Sequence, residues 1–178
     1  PEMPLVRYAT GGYICTSPFP YDGIFRRAVL NFKFHNCGAY AELLSHEMVR
    51  SIKDVYRDRE FDLVTCVPMH KDTLRKRGYN QAELLAKECA RLLGIEYADL
   101  LAKTKKNKTQ HSIKAAERAK NVIGVYLPID KNLIKDKRIL IIDDIITTGS
   151  TLGECARILN KCKCGEICCC TLCTSLLI

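Results

Sequence analysis

The stretch Arg138 to Gly153, Arg-Ile-Leu-Ile-Ile-Asp-Asp-Ile-Ile-Thr-Thr-Gly-Ser-Thr-Leu-Gly, constrains this chain more than any other. Ile139 to Ile142 is a short apolar run of the kind buried on both faces of a parallel sheet. The strand is expected to end at two adjacent carboxylates, Asp143 and Asp144, followed by the hydroxyl-rich loop Thr147-Thr148-Gly149-Ser150-Thr151. Leu152, Cys155, Ala156 and Leu159 then share one helical stripe. A strand that becomes a helix through such a loop points backbone N–H groups and a positive helix end at one spot, which suits a phosphate. Gly149 is expected to let the backbone approach that anion closely. The acids would repel a purely anionic ligand, but they fit one that also carries a vicinal diol or Mg²⁺. Ribose 5-phosphate meets both demands. The competing reading is a plain strand-loop-helix corner with two solvated aspartates. A receiver-type acidic pocket does not need the threonines, and no Gly-x-x-x-x-Gly-Lys-Ser/Thr run exists for a P-loop.

The rest of the chain reads as one α/β domain. Leu5 to Thr16 is strand material with a hairpin turn at Gly11-Gly12, and Pro18 and Pro20 should stop any ladder. Ile24, Phe25, Ala28, Val29 and Phe32 recur at helical spacing and should face a core, as should Leu44, Met48, Ile52 and Val55 in a second helix. His35 and His46 have no partners at metal-ligand spacing. Phe61 to Val67 is the next strand. Met69 to Tyr79 shows no apolar periodicity and reads as a basic loop at the carboxyl end of that strand, where α/β sheets bind ligands. Asn80 looks like an N-cap with Glu83 three residues on, and Gly94 like the end of that helix. Lys103 to Lys108 is the densest positive run and reads as a solvated loop. Ser112 would cap a short helix, and Val122 to Leu127 would form a further strand.

A formal net charge of +8 favours an anionic partner, whether a polyphosphate, nucleic acid or both. The eleven cysteines sit largely in apolar runs, where a free thiol acts as a small hydrophobe. With no charged-then-apolar leader, the expectation is a reducing cytoplasm. The run Ile167 to Ile178 is too short to span a bilayer, so no membrane insertion is expected. Cys170 and Cys173, an odd number apart on a strand, should point to opposite faces and could not share one zinc ion.

The acid pair and Thr-Thr-Gly-Ser-Thr loop resemble the ribose-phosphate signature of type I phosphoribosyltransferases. Over most of its length the chain resembles the ComF family of competence-associated, phosphoribosyltransferase-like proteins. The residues that carry this are Tyr21-Asp22-Gly23, Phe32-Lys33-Phe34, Val67-Pro68, Arg75, Arg77-Gly78-Tyr79-Asn80-Gln81, Gln110, Arg118 and Asn121. The resemblance implies a central, mostly parallel β-sheet flanked by helices in a single domain over 1–178, with a small N-terminal hood or hairpin over 1–20. ComF proteins commonly carry a four-cysteine zinc module, whereas only Cys15 and Cys37 lie in the first third of this chain.

The resemblance also implies roles. Thr147, Thr148, Gly149, Ser150 and Thr151 would hold the 5-phosphate of phosphoribosyl pyrophosphate (PRPP). Asp143 and Asp144 would hold the ribose hydroxyls and Mg²⁺, directly or through water. Met69, His70, Lys71, Asp72, Arg75 and Arg77 would take the pyrophosphate, with Arg75 and Arg77 joining the acids as catalytic residues. Lys105, Lys106, Lys108 and Gln110 would belong to a loop closing over the site. The implied activity is transfer of ribose 5-phosphate to an unidentified acceptor. The alternative is a PRPP-regulated competence module that binds single-stranded DNA, and the implied partners extend to competence proteins and a second copy of the chain.

Overall fold

The computed structural model describes residues 3–34, 39–105 and 124–175. In chain order these form β1 (Leu5–Ala9), β2 (Tyr13–Ser17), β3 (Phe19–Pro20), α1 (Gly23–Phe34), α2 (Ala39–Val55), β4 (Leu63–Cys66), α3 (Lys71–Arg77), α4 (Gln81–Leu93), β5 (Glu96–Tyr97), β6 (Leu101–Lys103), β7 (Tyr126–Pro128), α5 (Lys131–Ile134), β8 (Arg138–Ile146), α6 (Ser150–Lys161) and β9 (Glu166–Thr174). The main sheet runs β1-β2-β9-β8-β4-β5, with β3 also pairing with β9. Only the β1–β2 pairing in it is antiparallel, and β6 and β7 make a separate antiparallel pair. The short helix expected after Ser112 lies outside the described residues, as do Val122 and Ile123 of the strand expected there.

Both faces of the sheet are covered, which is why its central strands read as unbroken apolar runs. On one side Val29, Phe32, Met48, Ile52, Leu85 and Cys89 of α1, α2 and α4 pack against Val64, Leu140, Ile142, Cys168 and Cys170. On the other, Leu152, Cys155 and Leu159 of α6, with Leu101, Tyr126 and Ile134, pack against Leu63, Ile139, Ile141 and Cys169. Burial pushes the thiols of Cys15, Cys66 and Cys89 up to about 12, so they stay protonated and act as small apolar groups. Among the described residues no helix is long and apolar enough to cross a membrane.

The expected N-terminal hairpin forms as β1 and β2. Its second strand pairs in parallel with β9 through Cys15↔Cys169 and Thr16↔Cys170. The Tyr56 hydroxyl locks that seam, its one proton shared between the Cys169 carbonyl at 2.7 Å and the Ile14 carbonyl at 3.2 Å. Pro18 and Pro20 do not end the ladder, because β3 pairs Phe19↔Cys173 and Pro20↔Thr174. Proline is compatible with a strand whose N–H side carries no ladder bond. Ile24 is 71% exposed rather than in the core, since α1 only begins at Gly23. Cys170 and Cys173 pack into the same apolar cluster, not opposite ones. Alternation holds as far as Leu172 and lapses at Cys173, whose carbonyl accepts from the Thr171 hydroxyl at 3.0 Å.

The topology places one site. From β4 the chain crosses through α4 to β5, and from β8 it crosses through α6 to β9. These crossings leave adjacent strands in opposite directions over opposite faces. The carboxyl ends of β4 and β8 therefore flank a topological switch point, where open α/β sheets form a crevice.

Candidate functional site

Strand β8 does not stop at the acids. It runs on to Ile146, with Ile145↔Cys173 and Ile146↔Thr174 continuing the ladder. Asp143 and Asp144 thus lie within the strand near its carboxyl end, both half-buried. The Asp144 amide donates to Asp143 Oδ1 at 2.8 Å, which orients the first carboxylate. Beyond them Asp143 and residues 145–152 ring a concavity of about 30 Å³. Helix α6 begins there with Gly149 as its N-cap, in the left-handed region at φ 74 and with no side-chain cap. The first-turn amides of a helix lack intrahelical partners, so this corner presents N–H groups to an anion. The Thr148 and Ser150 hydroxyls lie 2.9 Å apart at its edge.

Gly149 is also constrained from the side away from the corner. A Cβ there would sit 2.7 Å from Ala9 Cα and 3.1 Å from the Thr10 amide nitrogen. The bare Cα faces the β1–β2 turn, and the Thr10 amide donates to the Gly149 carbonyl at 3.2 Å. Gly153, one turn later, is tighter still against the Thr10 carbonyl. The hairpin therefore clamps this corner from behind.

The basic segment after β4 is a helix, α3, not a loop. His70 caps it, its Nδ1 accepting from the Asp72 amide at 3.2 Å, and Gly78 closes it at φ 87. No residue of α3 is buried, so no apolar period marked it. The helical spacing sorts its side chains. Thr73 and Arg77, four apart, join His70 in lining a cleft of about 250 Å³ with Val67, Pro68 and Met69. Lys71 and Arg75 are exposed on the outer face, and neither they nor Asp72 line that cleft. Of the pyrophosphate candidates, then, Met69, His70 and Arg77 reach the site.

The Arg-Gly-Tyr-Asn-Gln run holds this wall in place. The Tyr79 hydroxyl donates to the Phe32 carbonyl of α1. Asn80 caps α4 by accepting from the Ala82 amide at 3.2 Å and ties it to β4 by donating to the Val67 carbonyl at 3.1 Å. Arg77 donates to Gln81 Oε1 at 2.7 Å. Glu83 does not complete a capping box but accepts from Lys87 at 2.6 Å.

Asp143, Asp144 and Thr151 line the same cleft from the β8 side, so corner and cleft are continuous through Asp143 and Thr151. The remaining wall comes from Lys103, expected at the start of the loop closing over the site but found in β6, and from Tyr126, which the sequence reading did not single out, paired across β6–β7. Lys103 Nζ lies 5.5 Å from the centroid of the Tyr126 ring. Burial holds its ammonium below the ordinary lysine value, and nearby Asp143 opposes that shift. Lys105 is exposed at the end of this pair, while Lys106, Lys108 and Gln110 lie outside the described residues. The chain returns at Gly124, whose amide donates to Glu154 Oε1 at 3.0 Å. Hydrogen bonds from Arg157 hold the Glu154 carboxyl below its usual range. Among the described residues no group of three or more His, Cys, Asp or Glu side chains could hold a metal ion by itself.

The sequence profile described as "Phosphoribosyl transferase domain" matches residues 80–176. Competence protein F of Haemophilus influenzae is 31% identical over 144 residues, covering 78% of this chain and 63% of that protein. DNA utilization protein YhgH of Escherichia coli is 30% identical over 56% of this chain and 44% of its own length. Competence protein ComFC of Streptococcus pneumoniae is 32% identical over 68% and 49%. The chain spans less than two thirds of each of these relatives.

Proposed function

Because the chain belongs to the phosphoribosyl transferase domain family, as a ComF-type member of it, we propose that its cleft binds PRPP and transfers ribose 5-phosphate to an acceptor. One observation carries the reading. Asp143 and Thr151 border both an anion-sized corner and a larger cleft walled by Arg77, Lys103 and His70. A ligand with a phosphate at one end, a diol in the middle and a diphosphate at the other matches that sequence of groups. The α6 amides and the hydroxyls of Thr147, Thr148, Ser150 and Thr151 would take the 5-phosphate. Asp143 and Asp144 would accept from the ribose hydroxyls.

Displacement would break the bond from the anomeric carbon to the diphosphate and form one to the acceptor. The leaving diphosphate departs with its electron pair, so the protein's task is to stabilise that charge and fix the geometry. Arg77 and Lys103 are placed for the first task, and the acids for the second. Two adjacent carboxylates are too few for a resident metal site but suit Mg²⁺ that keeps water and ligand oxygens in its shell. Asp143 and Asp144 would hold it, and it would supply further positive charge at the diphosphate.

The test is calorimetric titration of PRPP with and without Mg²⁺, followed by an assay of pyrophosphate release with candidate acceptors. Saturable binding and release support the reading, and absence of binding under both conditions overturns it. A second reading, a ligand-regulated module that binds single-stranded DNA, is favoured by the exposed basic face of Lys71, Arg75 and Lys76 beside the cleft. It requires an affinity whose logarithm falls with log salt at a slope of about −0.7 per phosphate contacted.

A further inference from the structure

Among the described residues, two buried side-chain polar atoms have no hydrogen-bond partner, Gln81 Nε2 and the Tyr126 hydroxyl. Gln81 lies on α4 and Tyr126 on β7, on opposite faces of the sheet, yet both residues line the one cleft between them. Each residue is 1% exposed, and the cleft that both line is the outlet left to these two atoms. Folding strongly disfavours a buried donor without an acceptor. Both orphans of this kind meeting at one place is therefore an observation about the cleft.

Their chemistry is defined. The guanidinium of Arg77 offers only donors, so the group it bonds at 2.7 Å must be the carbonyl end of the Gln81 amide. The NH₂ end is thereby left as the unmatched donor. The Tyr126 ring is packed in the core with Lys103 over it, which fixes where its hydroxyl lies. Adding Arg77 and Lys103, this wall presents N–H and O–H donors of several kinds, with the Asp143 carboxylate on the β8 side close enough to act on both Lys103 and Tyr126.

We propose that Gln81 and Tyr126 are specificity-determining residues that donate hydrogen bonds to the diphosphate end of the ligand. This rests on the reading of the cleft as a PRPP site. With the 5-phosphate in the corner and the sugar over Asp143 and Asp144, the group facing this wall must be rich in acceptors, and diphosphate oxygens are acceptors only. The pair then discriminates PRPP from ribose 5-phosphate, which has nothing to place there.

The test uses the full chain with inorganic pyrophosphate plus Mg²⁺ as one calorimetric probe and ribose 5-phosphate as the other. Tyr126→Phe removes only the hydroxyl, and Gln81→Met removes the amide at similar volume. Each variant should weaken pyrophosphate binding about three- to tenfold, the size of one lost hydrogen bond, and leave ribose 5-phosphate binding unchanged. Tyr126→Phe should also melt at the same or a higher temperature, because an unpaired buried hydroxyl has been removed. Pyrophosphate affinity within twofold of wild type in both variants overturns the proposal while leaving the PRPP reading intact. Equal loss of both probes with a lower melting temperature makes the residues structural and also overturns it. A wild-type protein that binds neither probe overturns the PRPP reading and this inference with it.

Discussion

Replacing Gly153 by alanine sets two effects of opposite sign against each other. Gly153 lies inside α6, its amide donating to the Gly149 carbonyl at 2.8 Å. In an isolated helix the change would stabilise by about 1 kcal/mol, because glycine has the greater backbone freedom to lose. Here the new Cβ would lie 2.2 Å from the Thr10 carbonyl oxygen, 2.8 Å from Thr10 Cβ and 2.9 Å from the Thr10 carbonyl carbon. Carbon atoms in contact prefer about 3.5–4.0 Å, so the turn must retreat by roughly 1 Å or more. Overpacking of this kind costs about 1–3 kcal/mol. Retreat also stretches the Thr10–Gly149 hydrogen bond, now 3.2 Å, whose loss costs about 1 kcal/mol more. The clash wins, with a net loss of about 1–3 kcal/mol. For a chain of this size that lowers the melting temperature by about 2–12 °C. Parallel urea and thermal denaturation of wild type and Gly153→Ala, followed by circular dichroism, measures it. A variant as stable as wild type, or more stable by the helix-propensity increment, refutes the clamp.

Arg77→Ala should weaken PRPP binding about tenfold or more, as expected for a charge-assisted hydrogen bond, while Arg75→Ala stays within about twofold. Calorimetry on both variants decides it, and equal losses would mean that the two faces of α3 are not distinct. Lys103→Met should lower pyrophosphate affinity and raise stability at pH 7. The folded-state pKa of Lys103 is depressed, so its charge opposes folding at neutral pH, and that cost fades as pH rises toward the unfolded value near ~10.4. The melting-temperature gap between variant and wild type should therefore close in alkali, and a gap that widens there sinks the argument. Asp62→Asn works the other way. Hydrogen bonds from the Arg138 side chain and amide hold the Asp62 carboxyl well below the usual carboxylate range. Its contribution is present above the unfolded pKa near ~3.9 and lost as pH falls through the folded one. The stability deficit of Asp62→Asn should be full at pH 7 and shrink below about pH 4. A deficit unchanged at pH 2 would remove the ion pair from the account.

What could be read from the sequence was local. The apolar run Ile139–Ile142, the turn at Gly11-Gly12, the Asn80 cap and the Gly94 stop each depend on neighbours within a few residues. The misses depend on distant partners or on the lack of burial. Helix α3 is silent in the pattern because its one large apolar residue, Leu74, is exposed. Lys103 merges into a positive run, although it ends a strand whose register with Tyr126 brings both into the cleft. The true constraint on Gly149 and Gly153 comes from Ala9 and Thr10, far away in the chain. No spacing rule reports such a contact.

The acid pair illustrates the same limit at the centre of the site. Along β8 the odd residues Ile139 and Ile141 pack toward α6, and the even residues Leu140 and Ile142 toward α2 and α4. Strict alternation would then send one of Asp143 and Asp144 toward each apolar layer, a costly place for a carboxylate. The parity instead changes across them, since Ile145 packs on the α2–α4 side and Ile146 on the α6 side. The change of side falls between Ile142 and Ile145, and both acids line the cleft. The neighbouring strand departs with it, where Thr171 bonds to the Cys173 carbonyl and Leu172 and Cys173 share one side. Ile145 and Ile146 return the chain to the sheet and anchor the loop that follows. The carboxylates thus sit on a strand secured at both ends, which gives them fixed positions while leaving them half-buried at the cleft.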